Sequence, residues 1–326
     1  MATGEFDLIR RWFAQLGARR EDVRLGVGDD AALLQVPEGH DLVVTLDTMV
    51  SGVHFPVDTV PEDIGHKLLA VNLSDLAAMG AQPAWITLAL TLPEVDEAWL
   101  EGFAAGLRAL AERYGVALIG GDTTRGPLSL SVQALGFAPH GLAITRGGAQ
   151  PGDLIYLTGT VGDAGLALLA LQGELRLPKP DREAVLARLN RPTPRLDAGF
   201  ALRGIASAAI DVSDGVAADL GHILDRSGVG ATLYAERLPI SPVMRRWLDA
   251  AGGWSMPLSV GDDYELLVTI PECRQAEAEA AMAELDCGFT WVGLIEAGTG
   301  LRCQLDDGSE LHVAGGYQHF GGAPHA

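Results

Sequence analysis

The sequence predicts a two-domain protein of the α+β (mixed α/β) class, and three observations predict it. The chain has 326 residues, 48% of them hydrophobic, enough for two sizeable cores. In the first half, apolar runs of strand length and stretches with helical periodicity follow one another without strict alternation. Glycines, Pro151 and polar residues then gather over residues 141–153, GLAITRGGAQPGD, which reads as an interdomain turn. We therefore expect an N-terminal domain over residues 1–145 and a C-terminal α/β domain over residues 146–326.

The opening MATGEFDLIRRWFAQL reads as an amphipathic helix with Phe6, Ile9, Phe13 and Leu16 on one face. It does not read as a signal peptide, because acids precede its basic pair and no small-residue cleavage site follows. After the acidic stretch LGVGDDAALL comes a turn at Pro37-Glu38-Gly39, then a strand over residues 41–48 ending in a carboxylate. Residues 49–56 form an irregular loop holding His54. Asp58-Thr59-Val60-Pro61-Glu62-Asp63 is a helix start, with a capping residue, an early proline and early acids. That helix turns Ile64, Leu68 and Leu69 inward and stops near Gly80. A strand over 85–92, a helix over 94–114, a short strand over 116–119 running into Gly120-Gly121-Asp122, and a strand over 128–137 complete the half.

The second half opens with a strand over 154–157 and a helix over 164–171. The proline-rich residues 173–194 read as loop, with helical potential over 181–190. SAAIDVSDGVAADLGHIL (207–224) reads as strand, turn and helix, with Val216, Leu220, Ile223 and Leu224 at helical spacing. A helix near 243–250, the run VGDDYELLV, an alanine-rich helix over 272–285, a strand over 291–295 and the tail GGYQHF follow.

Composition excludes several classes. No apolar run is long enough to span a membrane. The three widely spaced cysteines carry no metal-ligand pattern and read as reduced thiols of a cytoplasmic protein. A net charge of −20 argues against nucleic acid. Lys67 and Lys179 are the only lysines and there is no G-x-x-x-x-G-K-[ST], so the chain is not a P-loop protein. If it handles polyphosphates, metal ions must supply much of the positive charge.

Asp211 and Asp214 stand three apart at the N-terminus of a predicted helix. Backbone N–H groups point outward there and the helix dipole favours an anion. One acid would serve as a cap; two, with Ser213 and Gly215 between or beside them, suggest a cation bridging the carboxylates and a phosphate. The alternative is that Ser213 or Asp214 merely caps the helix and Asp211 is solvated. Repetition favours the first reading. Gly28-Asp29-Asp30, Asp47, Gly121-Asp122 and Gly261-Asp262-Asp263 also punctuate apolar runs, and Val-Gly-Asp-Asp occurs twice. Asp75, on one helix face with Asn72, sits in an almost wholly apolar stretch, where a carboxylate must be paired or metal-bound. Strand ends facing one crevice are where α/β folds hold ligands, and such a density of carboxylates needs Mg²⁺ or a similar hard cation. Asp29 and Asp263 are the doublet members expected to cap the turns that aim Asp30 and Asp262.

The ordered set GVGDDAALL, TLDTMVSGVHF, NLSDLAAMGAQP, LIGGDTTRG, DVSDGVAADLGHIL, GDDYELL and GGYQHF resembles the thiamine-monophosphate kinase family, over about residues 4–320. That family belongs to the aminoimidazole-ribonucleotide synthetase-like superfamily. The resemblance implies ATP-dependent phosphorylation of thiamine monophosphate to thiamine diphosphate, with several Mg²⁺ ions and K⁺ in the medium. It implies a homodimer whose N-terminal sheets complete a barrel, with the C-terminal domain closing the active-site cleft. It assigns Asp30, Thr45, Asp47, Asp75, Asp122, Asp211 and Asp214, with a Leu46 backbone oxygen, to the metals, and a catalytic role to Asp30, Asp75, Asp211 and Asp214. Gly121, Asp122, Arg146 and Ser213 would contact the nucleotide, and His54, Asp262 and Tyr317 the acceptor. This chain departs at two places: the family usually has Glu at the position of Asp262, and often Trp or Phe at that of Tyr317. Arg146 as a surface residue and His54 as a packed one remain open alternatives.

Other functions stay in view. A related superfamily enzyme acting on a formyl-glycinamide or carbamoyl substrate would share the ATP scaffold. A selenophosphate-forming one needs a reactive Cys or selenocysteine and a Lys near the N-terminus, and this chain has neither. A metal-dependent phosphatase would release inorganic phosphate without ATP. A non-catalytic acidic metal-binding protein is disfavoured by the lack of a D-x-[DN]-x-[DN]-G loop.

Overall fold

Local patterning places most elements of the computed structural model, which describes residues 5–251 and 253–313. They fall into two units, residues 1–76 with 81–142 and residues 77–80 with 143–326. No helix among the described residues is long and apolar enough to cross a membrane.

In the N-terminal unit α1 (Glu5–Leu8) passes directly into a π-helical turn over Ile9–Phe13. The wide turn, in which the Ala14 amide donates to Ile9 O at 2.9 Å, shifts the helical phase. Leu8, Trp12, Phe13 and Leu16 are therefore the buried stripe, and Ile9 is only half-buried. Phe13 and Leu16 of the expected stripe are buried, Ile9 gives way to Leu8 and Trp12, and the Phe6 side chain lies outside the described residues.

Strands β1 (Val23–Leu25) and β2 (Leu33–Leu34) pair antiparallel around the acidic stretch. Then come β3 (His40–Val50), α2 (Pro61–Ala78), β4 (Gln82–Leu92), α3 (Glu97–Arg113), β5 (Ala117–Arg125) and β6 (Ser129–Pro139). The sheet order is β3-β6-β4-β5. Antiparallel β6 joins β3 to β4, and β5 lies parallel to β4 after the α3 crossover. Asp96 starts α3 by accepting the amides of Ala98 and Trp99. Helices α2 and α3 meet backbone to backbone: a Cβ on Gly65 would lie 2.1 Å from Phe103 O, and one on Gly106 would lie 1.9 Å from Glu62 O. Ile64, Leu68 and Leu69 of α2 and Leu100, Phe103 and Leu107 of α3 are buried. Two expectations need correction. β5 continues through Gly120-Gly121-Asp122, so that motif lies within a strand, and β3 runs on to Val50, so Asp47 is internal to it. Side-by-side pairing, β5 with β4 and β3 with β6, extends both strands past the glycines and acids that read as punctuation.

The C-terminal unit contains β7 (Leu154–Thr158), α4 (Asp163–Gln172), α5 (Lys179–Asn190), α6 (Leu196–Leu202), β8 (Ala208–Asp211), α7 (Val216–Ser227), β9 (Gly230–Tyr234), α8 (Pro242–Ala251), α9 (Ser255–Ser259), β10 (Leu266–Ile270), α10 (Gln275–Ala283), β11 (Phe289–Glu296), β12 (Gly300–Gln304) and β13 (Glu310–Leu311). Its sheet order is β13-β12-β9-β11-β7-β10-β8, antiparallel except for β12 with β9. Every residue of β7, β8 and β10 is buried, as strands covered on both faces require. Ile155 and Leu157 of β7 pack in one cluster with Val216, Leu220, Ile223 and Leu224 of α7. On the opposite face Tyr156 stacks on Phe289, 4.3 Å between ring centres, and donates its hydroxyl to Glu279 of α10. Helix α6 and strands β9 and β12 were not expected from the sequence.

Candidate active site

In the N-terminal unit, strand alternation turns Thr45 and Asp47 of β3 toward α2, where Asn72 and Asp75 share a face. The Asp47 amide donates to Asn72 Oδ1 at 3.1 Å, and Asn72 Nδ2 donates to Leu68 O at 2.9 Å. Fully buried Asn72 thus pins the strand to the helix. Thr45 Oγ1 donates to Asp75 Oδ2 at 2.5 Å. Burial, then the charge of Asp75 and a hydrogen bond to it, push the Asp47 carboxyl up to about 7. Two neighbouring carboxyls whose charges repel suit a hard divalent cation, which would take the place of a bound proton and remove the repulsion. The neighbouring Leu46 side chain points the other way and is 58% exposed.

A second group forms around the acidic turn. Asp29 Oδ1 accepts the Asp30 amide at 2.9 Å, fixing the turn that presents Asp30. Asp30 and Asp122 line the same cavity of about 640 Å³, with Gly28, Gly120 and Gly121. Gly121 is required there by space: a Cβ would lie 2.0 Å from Leu88 O of the paired strand. His54, half-buried beside buried Phe55, accepts the Val50 amide on Nδ1 at 3.0 Å. Its proton therefore sits on Nε2.

In the C-terminal unit β8 ends at Asp211, which is 3% exposed. The Asp211–Gly215 turn pairs with the second Val-Gly-Asp-Asp. Asp262 N–H donates to Ser213 O, Tyr264 N–H to Val212 O and Val212 N–H to Glu265 O, at 2.8–2.9 Å. Gly261 permits this approach, since a Cβ would lie 1.9 Å from Ser213 O. Asp262 and Tyr264 are the described non-glycine residues with positive φ, 68° and 51°, and Tyr264 donates its hydroxyl to Asp262 Oδ1 at 3.0 Å. Strained backbone concentrates here, as it does at functional sites. Asp263 faces inward; it accepts the Gly162 amide at 2.8 Å, and burial pushes its carboxyl well up. Exposed Arg146 lines a shallow depression of about 410 Å³ with His222, Asp225 and Arg226. Tyr317 lies outside the described residues.

Neither Ser213 nor Asp214 is the cap of α7: the N-cap is Gly215. The amides of Ser213, Asp214 and Gly215, expected to point outward, all donate to Asp219 Oδ2, at 3.0, 3.0 and 3.1 Å. Burial is the largest cause raising the Asp219 carboxyl to about 7, despite those amides. Sequence reasoning missed this residue, although a signal was present: Asp219 falls on the apolar stripe of Val216, Leu220 and Ile223. Asp214, Asp219 and His222 also bring one potential ligand atom each within 4.8 Å of the others. Glu265 was missed as well. Wholly buried at the head of the apolar strand β10, it binds Arg195 through two contacts of 2.6 Å, Arg188 at 2.7 Å and Thr158 at 2.8 Å.

The AIR synthase related protein N-terminal domain matches residues 28–138, and the corresponding C-terminal domain matches residues 150–306. Thiamine-monophosphate kinase of Salmonella typhimurium is 49% identical over 322 residues, covering 98% of this chain and 99% of that one. The crystal structure of thiamine-monophosphate kinase from Stenotrophomonas maltophilia K279a has a TM-score of 0.84 at 50% identity, covering 94% of this chain and 98% of that one. AaThiL complexed with AMPPCP and TMP has a TM-score of 0.78 at 32% identity, covering 90% and 92%. The chain belongs to the thiamine-monophosphate kinase family of AIR synthase related proteins.

Proposed function

We propose that this protein transfers the γ-phosphoryl group of ATP to the phosphate of thiamine monophosphate, giving thiamine diphosphate and ADP. The Asp47–Asp75 pair carries the reading: contacts from Thr45 to Asp75 and from the Asp47 amide to Asn72 bring two repelling carboxyls together between β3 and α2, an arrangement that a divalent cation would neutralise. Near-full-length identity of 49% to a thiamine-monophosphate kinase supports the substrate.

A phosphate monoester is largely ionised near neutral pH, so the acceptor needs no general base. The difficulty is to hold two anionic groups in line. Mg²⁺, when bound, supplies the positive charge that neutralises them. We assign Asp30, Thr45, Asp47, Asp75, Asp122, Asp211, Asp214 and the Leu46 backbone oxygen, between them, to holding several Mg²⁺ ions, with K⁺ as an accompanying ion. Gly121, Asp122, Arg146 and Ser213 orient the nucleotide, Arg146 as a planar donor. His54, in its Nε2–H form, donates to an acceptor oxygen. Asp262 and the aromatic face of Tyr317 suit the cationic thiazolium ring.

The homodimer is part of the proposal. β3 is an edge strand, and its Leu42, Val44 and Leu46 are 43%, 49% and 58% exposed, an apolar row for a second copy to cover. Free Cys273, Cys287 and Cys303 and the use of ATP support a cytoplasmic setting. Phosphorus NMR of the protein with ATP, Mg²⁺ and thiamine monophosphate tests the reaction. The expected products are thiamine diphosphate and ADP in equal amounts; inorganic phosphate alone, or equal turnover of thiamine, would overturn it.

A further inference from the structure

We infer that Asp219 is a positioning residue that builds the Asp211–Gly215 turn from inside. The inference rests on the roles proposed above for Asp211, Ser213 and Asp214. One oxygen, Asp219 Oδ2, accepts three consecutive backbone amides, those of Ser213, Asp214 and Gly215, at 3.0–3.1 Å. The side chain reaches them because side chains on a helix lean toward its N-terminus, and Asp219 lies one turn inside α7. It is 2% exposed, so the carboxylate is an internal part of the turn.

Two consequences follow. The amides of Ser213, Asp214 and Gly215, just ahead of α7, are already taken by the protein's own carboxyl oxygen, so a bound phosphate does not use those three as a backbone cradle. Recognition by this turn comes instead through the Ser213 hydroxyl and the Asp211 and Asp214 carboxylates. The turn is also fixed along its other edge, where the carbonyls of Val212 and Ser213 accept the amides of Tyr264 and Asp262. Held from both edges, the backbone of residues 212–215 fixes how Ser213 and Asp214 are presented beside Asp211 at the end of β8. Removing Asp219 frees one edge while leaving all three of them in place.

The test combines hydrogen exchange over residues 211–219, Mn²⁺–nucleotide binding, and steady-state kinetics. In the wild-type protein the turn amides exchange slowly. In Asp219→Ala they exchange fast, Mn²⁺–nucleotide binding weakens and the KM for ATP rises, each by about tenfold or more, while the KM for thiamine monophosphate holds. Asp219→Asn keeps an acceptor oxygen and recovers most of the loss. Fast exchange of these amides in the folded wild-type protein overturns the inference whether or not the alanine variant folds. So does an alanine variant with unchanged nucleotide binding, or one in which both KM values move together. Should the wild-type protein bind no metal–nucleotide, the proposed function fails instead, and the exchange data still decide the place of Asp219.

Discussion

Replacing Asp47 with Asn separates the stability of this protein from its chemistry. The Asp47 carboxyl is raised from an ordinary 3.8 to about 7 by burial and by Asp75. At ~1.36 kcal/mol per pH unit, holding that charge in the metal-free fold costs up to about 4 kcal/mol above pH 7. The sign follows from the raised value. The native state keeps the proton to higher pH than the unfolded chain does, so wild-type stability falls as pH rises from about 4 to about 7 and then levels. Asp47→Asn has no charge to hold. Its thermal midpoint without metal should exceed the wild-type value at pH 8, by an increment that shrinks toward pH 4. Added Mg²⁺ should stabilise the wild-type protein more than the variant, and the variant should not turn over. Differential scanning calorimetry from pH 4 to 8, with EDTA or Mg²⁺, gives both curves. A variant less stable than wild type at pH 8, or a gain independent of pH, refutes the reasoning.

Other substitutions probe separate parts of the account. Gly121→Ala drives a Cβ to 2.0 Å from Leu88 O; it should destabilise by about 1–3 kcal/mol in urea unfolding and lower activity. Glu265→Ala leaves Arg188 and Arg195 without their buried partner and should lose about 3–5 kcal/mol by the same measurement. Tyr264→Phe removes the hydrogen bond to Asp262 and should raise the KM for thiamine monophosphate about tenfold with little change for ATP. Val44→Asp places a charge on the exposed row of β3 and should convert a dimer to monomers in light scattering.

Periodicity and capping chemistry made much of the fold legible. The start of α2 at Pro61, the stripe of α7, and strands β3, β4, β6, β7 and β11 follow from short-range rules. What escaped depends on partners distant in sequence. Asp122 reads as a turn residue until β4 is beside it, and Asp47 as a strand end until β6 extends the ladder. The two Val-Gly-Asp-Asp segments show the same point. Asp29 caps an exposed turn, whereas Asp263 is buried and accepts the amide of Gly162, the N-cap of α4. The π-helical turn at Ile9–Phe13 has no composition signal. Asp219 did have one, an acid in an apolar stripe, whereas Glu265 is held by Arg188 and Arg195, 77 and 70 residues away, which local spacing does not reveal.

Calorimetric titration of the metal-free protein with Mg²⁺ at pH 7, in buffers of different protonation enthalpy, tests most directly whether the Asp47–Asp75 pair receives the cation. The account predicts proton release on binding, seen as a binding heat that varies with the buffer, and its loss in Asp47→Asn. A heat that is the same in every buffer, or proton release that persists in the variant, would contradict it.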